Sequence, residues 1–315
     1  MTRRWAIRNL MVAGAASLLP RAPAAVPPDD PQDYIIRSEV RLVLLDVSVK
    51  DRDGGFVAGI SKDNFGIFED NVRQPITVFA NDDLPVTVGI LVDESRSMTP
   101  KRADVLSAAE TFVEESNPRD EVFVLNFNDT VKRGLPDQVL FSGNIEQLRS
   151  ALYRGIPEGR TALYDAIVDG LNQLELGRRD KKTLVVISDG GDNASRHKRR
   201  DTLDRVERSI ATIYTVGLFN AGDPEQDPGI LKQLAKISGG EAYFPVRPAG
   251  MIAVCRGIAK DIRTRYTIGY VPPAGNGADA LRHIRVSVSV AGRPRLTART
   301  RTRYRYVAIE NSSSR

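Results

Sequence analysis

The run Val86-Thr-Val-Gly-Ile-Leu-Val-Asp-Glu-Ser-Arg-Ser-Met98 constrains this chain more than any other stretch. Residues 86–92 hold too few polar positions for a half-solvated strand, so they read as a strand buried on both faces, as a parallel sheet covered by helices requires. Asp93, Ser95 and Ser97 then alternate along the turn that follows. Such spacing lets three oxygen-bearing side chains meet at the carboxyl edge of the sheet, where open α/β sheets bind ligands. Glu94 and Arg96 alternate with them and are expected to face solvent.

From residue 86 the pattern is alternating strand and helix, which predicts an α/β fold with a doubly wound, mostly parallel sheet. Helix is expected over 103–115, between Pro100 and Asn117-Pro118, then a strand over 121–127 and an antiparallel edge hairpin within 130–141. Helices at 145–152 and 162–174, a strand at 183–188, a helix at 202–209 and a strand at 212–218 follow. A helix at 230–237 is stopped by Gly239-Gly240, and a short strand at 242–246 completes the series. Both flanks read as β: 39–50, a turn at Asp51-Arg-Asp-Gly-Gly55, 56–60, 65–69 and 74–79 on one side; 266–271, 283–290 and 296–306 on the other, after a helix over 251–263. The two flanks are expected to pair into one small β-sandwich. The division is thus a leader at 1–25, a β-rich region at 26–84, an α/β domain at 85–248, and a helix with β-rich region at 249–315.

The leader is set apart by Arg3, Arg4 and Arg8, an apolar stretch at 10–19 and Ala22-Pro-Ala24-Ala25, the layout of a signal peptide whose apolar core is too short to span a bilayer. Thr2-Arg-Arg-Trp-Ala-Ile also resembles a twin-arginine signal. No later segment approaches membrane-spanning length, so the expectation is export, to the periplasm or outside the cell. Because 45 basic residues face 40 acidic ones, the net charge of +5 argues against a nucleic-acid partner. Cys255 is the only cysteine, so no disulfide forms within the chain, and it reads as a small buried residue of the 251–262 helix.

Oxygen ligands without a neighbouring His or Cys suit a hard cation, Mg²⁺ or Mn²⁺, better than zinc or copper. Asp-x-Ser-x-Ser after a buried strand resembles the metal-ion-dependent adhesion site of von Willebrand factor type A domains. That resemblance implies a Thr and an Asp from two later loops. The candidates are Thr161 in Gly159-Arg-Thr-Ala-Leu-Tyr-Asp-Ala-Ile167 and Asp189 in Thr183-Leu-Val-Val-Ile-Ser-Asp-Gly190. The whole chain is similar to exported bacterial VWFA-related proteins described from Acidobacteria, through Leu42-Val-Leu-Leu-Asp-Val-Ser-Val, Asp63-Asn-Phe-x-Ile-Phe-Glu-Asp and Arg265-Tyr-Thr-Ile-Gly-Tyr-Val-Pro272.

The resemblance implies Mg²⁺, with Mn²⁺ or Ca²⁺ as alternatives. Ser95 and Ser97 would ligate directly, Thr161 directly or through water, and Asp93 and Asp189 mostly through water. Neutral inner ligands would leave the cation able to capture an Asp or Glu carboxylate of a protein partner, an adhesion-type binding function and not an enzymatic one. Plainer roles stand beside these: Asp93, Ser95 or Ser97 as caps of the next helix, Thr161 as cap of 162–174, Asp165 as a dipole partner in that helix, Asp189 as a turn residue, and 196–200 as a solvated basic loop. A structural envelope scaffold with a vestigial metal site is the second function class. A Mg²⁺-dependent hydrolase is the third. Phosphotransfer through Asp93 would want a carboxylate where Ser95 stands, and Gly-x-Ser-x-Gly, phosphate-loop and zinc spacings are all missing from the sequence.

Overall fold

The structure, a computed structural model, describes residues 42–219, 224–273, 280–293 and 295–306. The expected leader and the start of the 39–50 strand lie outside these residues. The first flank forms β1 (Val43–Lys50), β2 (Phe65–Glu69), β3 (Val72–Gln74) and β4 (Val78–Ala80). The α/β segment forms β5 (Thr87–Asp93), α1 (Arg102–Glu114), β6 (Glu121–Phe127), β7 (Val131–Arg133), α2 (Ile145–Tyr153), α3 (Leu163–Glu175), β8 (Lys182–Ser188), α4 (Arg199–Arg208), β9 (Thr212–Gly217), α5 (Pro228–Ser238) and β10 (Ala242–Tyr243). After α6 (Pro248–Thr264) come β11 (Tyr266–Tyr270), β12 (Ala280–Val288), β13 (Thr297–Arg299) and β14 (Arg303–Tyr306).

The central sheet has the order β10-β9-β8-β5-β6-β7, parallel except for β7 at its edge. Every residue of β5 is buried, with Val88 opposite Val122 on one side and Thr183 on the other. This is why the run at 86–92 shows no polar alternation. A side chain such as Ile90 or Leu91, removed from water on both faces, contributes about 1.5–3 kcal/mol. Two groups of helices flank the sheet: α1 packs with α2 and α6, and α4 packs with α3 and α5. The order of the strands reverses at β5, which opens a crevice at the carboxyl ends of β5 and β8.

The flanks interleave. One sheet has the order β13-β1-β11-β4 and the other β14-β12-β2-β3, so each sheet takes strands from both ends of the chain. Leu45, Val47, Tyr266 and Ile268 of the first face Phe65, Ile67 and Ile284 of the second across one apolar core. The sandwich is fastened to the α/β domain by Asp261 near the end of α6, which accepts hydrogen bonds from Ser48 (2.5 Å), Tyr214 (2.7 Å), Arg299 (3.1 Å) and Arg265 (3.3 Å). Burial would raise the Asp261 pKa, but Arg265 and the two hydroxyls hold it below the usual carboxylate range.

Several local expectations need correction. Residues 56–60 form no strand beyond one bridge between Phe56 and Lys50. Pro75 divides 74–79 between β3 and β4, since a proline cannot donate to the ladder. Of 130–141 only β7 is a strand. Residues 296–306 make two strands, β13 and β14, which belong to different sheets. Thr161 does not cap α3, whose N-cap is Ala162.

Candidate metal centre

Beyond Asp93 the chain leaves strand geometry and winds into a 3-10 helix, Arg96–Lys101. Asp93 Oδ1 accepts the Ser95 N–H (2.9 Å) and Asp93 Oδ2 accepts the Ser188 hydroxyl (2.6 Å), so the carboxylate is fixed by its own turn and by the neighbouring strand β8. The Ser95 and Ser97 Oγ atoms are 3.1 Å apart, and Ser97 donates to Asp189 Oδ2 at 2.6 Å. Asp189 Oδ1 in turn accepts the Gly191 N–H at 3.1 Å. Asp93, Ser95, Ser97 and Asp189 therefore form one hydrogen-bonded chain across the carboxyl ends of β5 and β8. Gly190 makes the turn possible. Its φ is +84°, and an added Cβ would lie 2.3 Å from the Asp227 carbonyl oxygen.

Thr161 lies on a third loop, just before α3. Its N–H donates to Asn193 Oδ1 (2.9 Å), and its carbonyl accepts the Asn193 and Ala194 N–H groups at 3.0 Å each. The same loop is bound to the first turn, where Arg96 N–H donates to the Gly159 carbonyl (3.2 Å). Thr161 is 5% exposed, and its hydroxyl hydrogen-bonds to no group among the described residues. All five residues singled out in the sequence thus lie on three loops tied to one another.

A sequence model of the von Willebrand factor type A domain matches residues 87–250. The chain belongs to that family. Members typically serve as adhesion and interaction modules and not as enzymes. No curated protein sequence matches the chain. Solved structures that resemble it include an aerotolerance-related membrane protein from Bacteroides fragilis (16% identity, TM-score 0.46, covering 56% of this chain and 98% of that one). A von Willebrand factor type A protein from Catenulispora acidiphila is 14% identical with TM-score 0.48 over 87% of this chain and 76% of its own. Proximal thread matrix protein 1 of the mussel byssus, in a structure with a zinc-occupied MIDAS motif, is 13% identical with TM-score 0.49 over 60% of this chain and 48% of its own.

The acidic groups of this candidate site are compensated only in part by the protein. Burial, reinforced by the Asp189 charge and opposed by the hydrogen bonds from Ser188 and Ser95, pushes Asp93 up to about 7. Neither Asp93 nor Asp189 forms an ion pair with a Lys, Arg or His among the described residues. Two shielded carboxylates joined through hydroxyls, with every donor atom an oxygen, fit a hard divalent cation. No group of three or more His, Cys, Asp and Glu side chains suited to a metal occurs among the described residues, so a cation at this position would have to take hydroxyl oxygens as well as carboxylates.

Other residues fall differently from the sequence pattern. Arg96 is exposed as expected, but Glu94 is 2% exposed and faces inward, paired with Arg102 at 3.0 Å. Period-two alternation assigns faces only while the chain remains a strand, and here it ends at Asp93. Asp165 does more than favour a helix dipole: it accepts the Arg196 and His197 N–H groups and lies 2.6 Å from His197 Nδ1. The basic run is consequently anchored, and its Arg199 begins α4 and pairs with Asp227 at 2.8 Å. Asp192 is engaged by Tyr164 N–H and the Ser195 hydroxyl. Ser188 is the site residue that sequence reasoning missed, and its signal was a lone hydroxyl ending an apolar strand directly before Asp189.

Proposed function

We propose that this chain is an exported protein-binding module in which Ser95, Ser97, Thr161, Asp93 and Asp189 hold Mg²⁺ to capture an acidic side chain of a protein partner. The observation that carries this proposal is the Ser97 to Asp189 hydrogen bond, which joins the Asp-x-Ser-x-Ser turn to a carboxylate at the end of another strand, one that pairs with no basic residue among the described residues. Bound there, Mg²⁺ would supply an open, oxygen-seeking position at the sheet edge; Mn²⁺ or Ca²⁺ could serve in its place. The protein's part is positional. Ser188 and the Ser95 backbone orient Asp93, Gly191 orients Asp189, and the neutral hydroxyls of Ser95, Ser97 and Thr161 donate lone pairs without cancelling the cation's charge. The site then retains attraction for one more anionic oxygen.

Export is supported by the arginine-rich start, apolar core and small-residue end of 1–25, and the described residues contain no helix long and apolar enough to cross a membrane. With the interleaved flanks, these features favour a relationship to the Acidobacteria-type exported proteins, with 85–248 as the binding domain and 26–84 and 249–315 as its support.

The test is the melting temperature of the purified chain with Mg²⁺ and with chelator, beside Asp93→Ala. A metal-dependent rise that the variant loses is expected, because a ligand that binds only the native state must stabilise it. No rise, together with no heat of Mg²⁺ binding by calorimetry, would remove the metal mechanism. Partner capture that survives chelator would leave the scaffold function in its place. A start near residue 26 in chain recovered from the periplasm or medium would establish processing.

A further inference from the structure

Away from the metal centre, a second concave site lies where the last strand of the sandwich meets the end of α4. A cavity of about 290 Å³ is walled by Leu42, Leu44, Ile210, Pro272, Tyr304 and Tyr306, with Arg301 also in its lining. The wall is unusual for a water-facing surface: Leu44 is 49% exposed and Ile210 63% exposed, on either side of the same opening.

The arginines beside it are paired, with one exception. Arg303 pairs with Glu207, Arg305 pairs with Asp204 at 2.9 Å, and Arg208 pairs with Asp204 at 3.0 Å. Arg301 has no acidic partner among the described residues, and its one hydrogen bond, from Nη2, goes to the Ser209 carbonyl at 2.7 Å. Burial disfavours its charged form, with only Asp46 opposing. A guanidinium does not escape by losing its proton, because its pKa is too high, so the remedy is an anion. The remaining N–H groups of Arg301 form a fork suited to a carboxylate.

We propose that this cavity binds a small amphiphilic carboxylate, its anionic head on Arg301 and its aliphatic or aromatic body against Leu42, Leu44, Ile210 and the two tyrosines. A neutral apolar molecule would leave the guanidinium uncompensated. An amine would be repelled by the Arg301 guanidinium, and a bare inorganic anion would leave the apolar wall wet. The size is that of a ligand of several heavy atoms, at the small end of ligand pockets. None of the residues belongs to the metal centre, so this site stands or falls apart from it.

The test is calorimetric titration of the full chain with hexanoate, hexanol and hexylamine. Hexanoate is expected to bind at least tenfold more tightly than the other two. Arg301→Met should reduce hexanoate binding at least tenfold while leaving the effect of Mg²⁺ on melting intact. Ile210→Asp, at an exposed position that threatens the fold little, should do the same from the apolar wall. No heat with hexanoate, the result expected if the chain's own ends or water fill the groove, overturns the proposal. So does equal binding of hexanol, or undiminished binding by both variants.

Discussion

Glu69, inside the sandwich, and Asp93, at the carboxyl edge of the parallel sheet, are 3% and 2% exposed, yet their surroundings are opposite in kind. Glu69 is closed off by partners of this chain: Arg282 pairs with one carboxylate oxygen, and the Tyr270 and Tyr304 hydroxyls donate to the other at 2.6 Å and 2.8 Å. Asp93 and its neighbour Asp189 receive hydroxyl and backbone donors but no cationic side chain among the described residues. Burial of a charge is costly unless it is compensated, and a protein can compensate it internally or leave that to a ligand. Glu69 illustrates the first case and is structural. Asp93 with Asp189 lacks such an internal cationic partner among the described residues, which is what the proposed cation site requires.

The largest effect should come from opening the closed centre. Arg282→Met leaves Glu69 buried with only tyrosines, and loss of about 3–5 kcal/mol is expected in urea unfolding, as when one partner of a buried ion pair is removed. A loss below about 1 kcal/mol would place Glu69 and Asp93 in the same class. At the open centre the metal should dominate: Mg²⁺ at a hundred times its Kd adds about 2.7 kcal/mol to a native-state site. Asp189→Asn should abolish that gain while altering stability in chelator by less than about 1 kcal/mol, because the amide keeps the shape and one acceptor. A gain retained by Asp189→Asn would show that Asp189 is not part of the cation's surroundings.

Smaller effects separate the two regions. Gly89 lies mid-strand in β5, where an added Cβ would stand 2.3 Å from the Phe123 ring and 2.6 Å from Leu184. Gly89→Ala should therefore cost about 1–3 kcal/mol through overpacking, read as a lower urea midpoint with the same slope. Last, Cys255 is fully buried in α6, and burial pushes its thiol up to about 12. Alkylation at pH 8 should be negligible in the native protein and complete in denaturant. Because the chain has no other cysteine, the denaturant dependence of labelling reports opening around α6, which packs against α1. Rapid labelling of native protein would mean that α6 opens independently of the sheet.

Much of the α/β domain was legible because each element is written contiguously. The apolar run of β5, the glycine-stopped pattern of α5 and the strand ending before Asp189 declare themselves within a dozen residues. Of the candidate site, Asp93, Ser95 and Ser97 stand out for the same reason, whereas Thr161 and Asp189 came only from the resemblance to von Willebrand factor type A domains; the loops after β5 and β8 meet because those strands are neighbours. Glu94 was not legible, because the faces of a turn depend on which later residue approaches it, and only the fold brings Arg102 there.

By itself, then, the sequence determined the strand and helix alternation, the buried character of β5 and the identity of the oxygen-bearing residues at its end, all of which follow from local periodicity and chemistry. The tertiary structure alone decided how β1 pairs with β11 and β2 with β12, why 296–306 divides between two sheets, and which buried carboxylate acquires an arginine. Those outcomes depend on contacts between residues hundreds of positions apart, where many alternating strands offer equivalent faces and only simultaneous packing of both sheets selects among them.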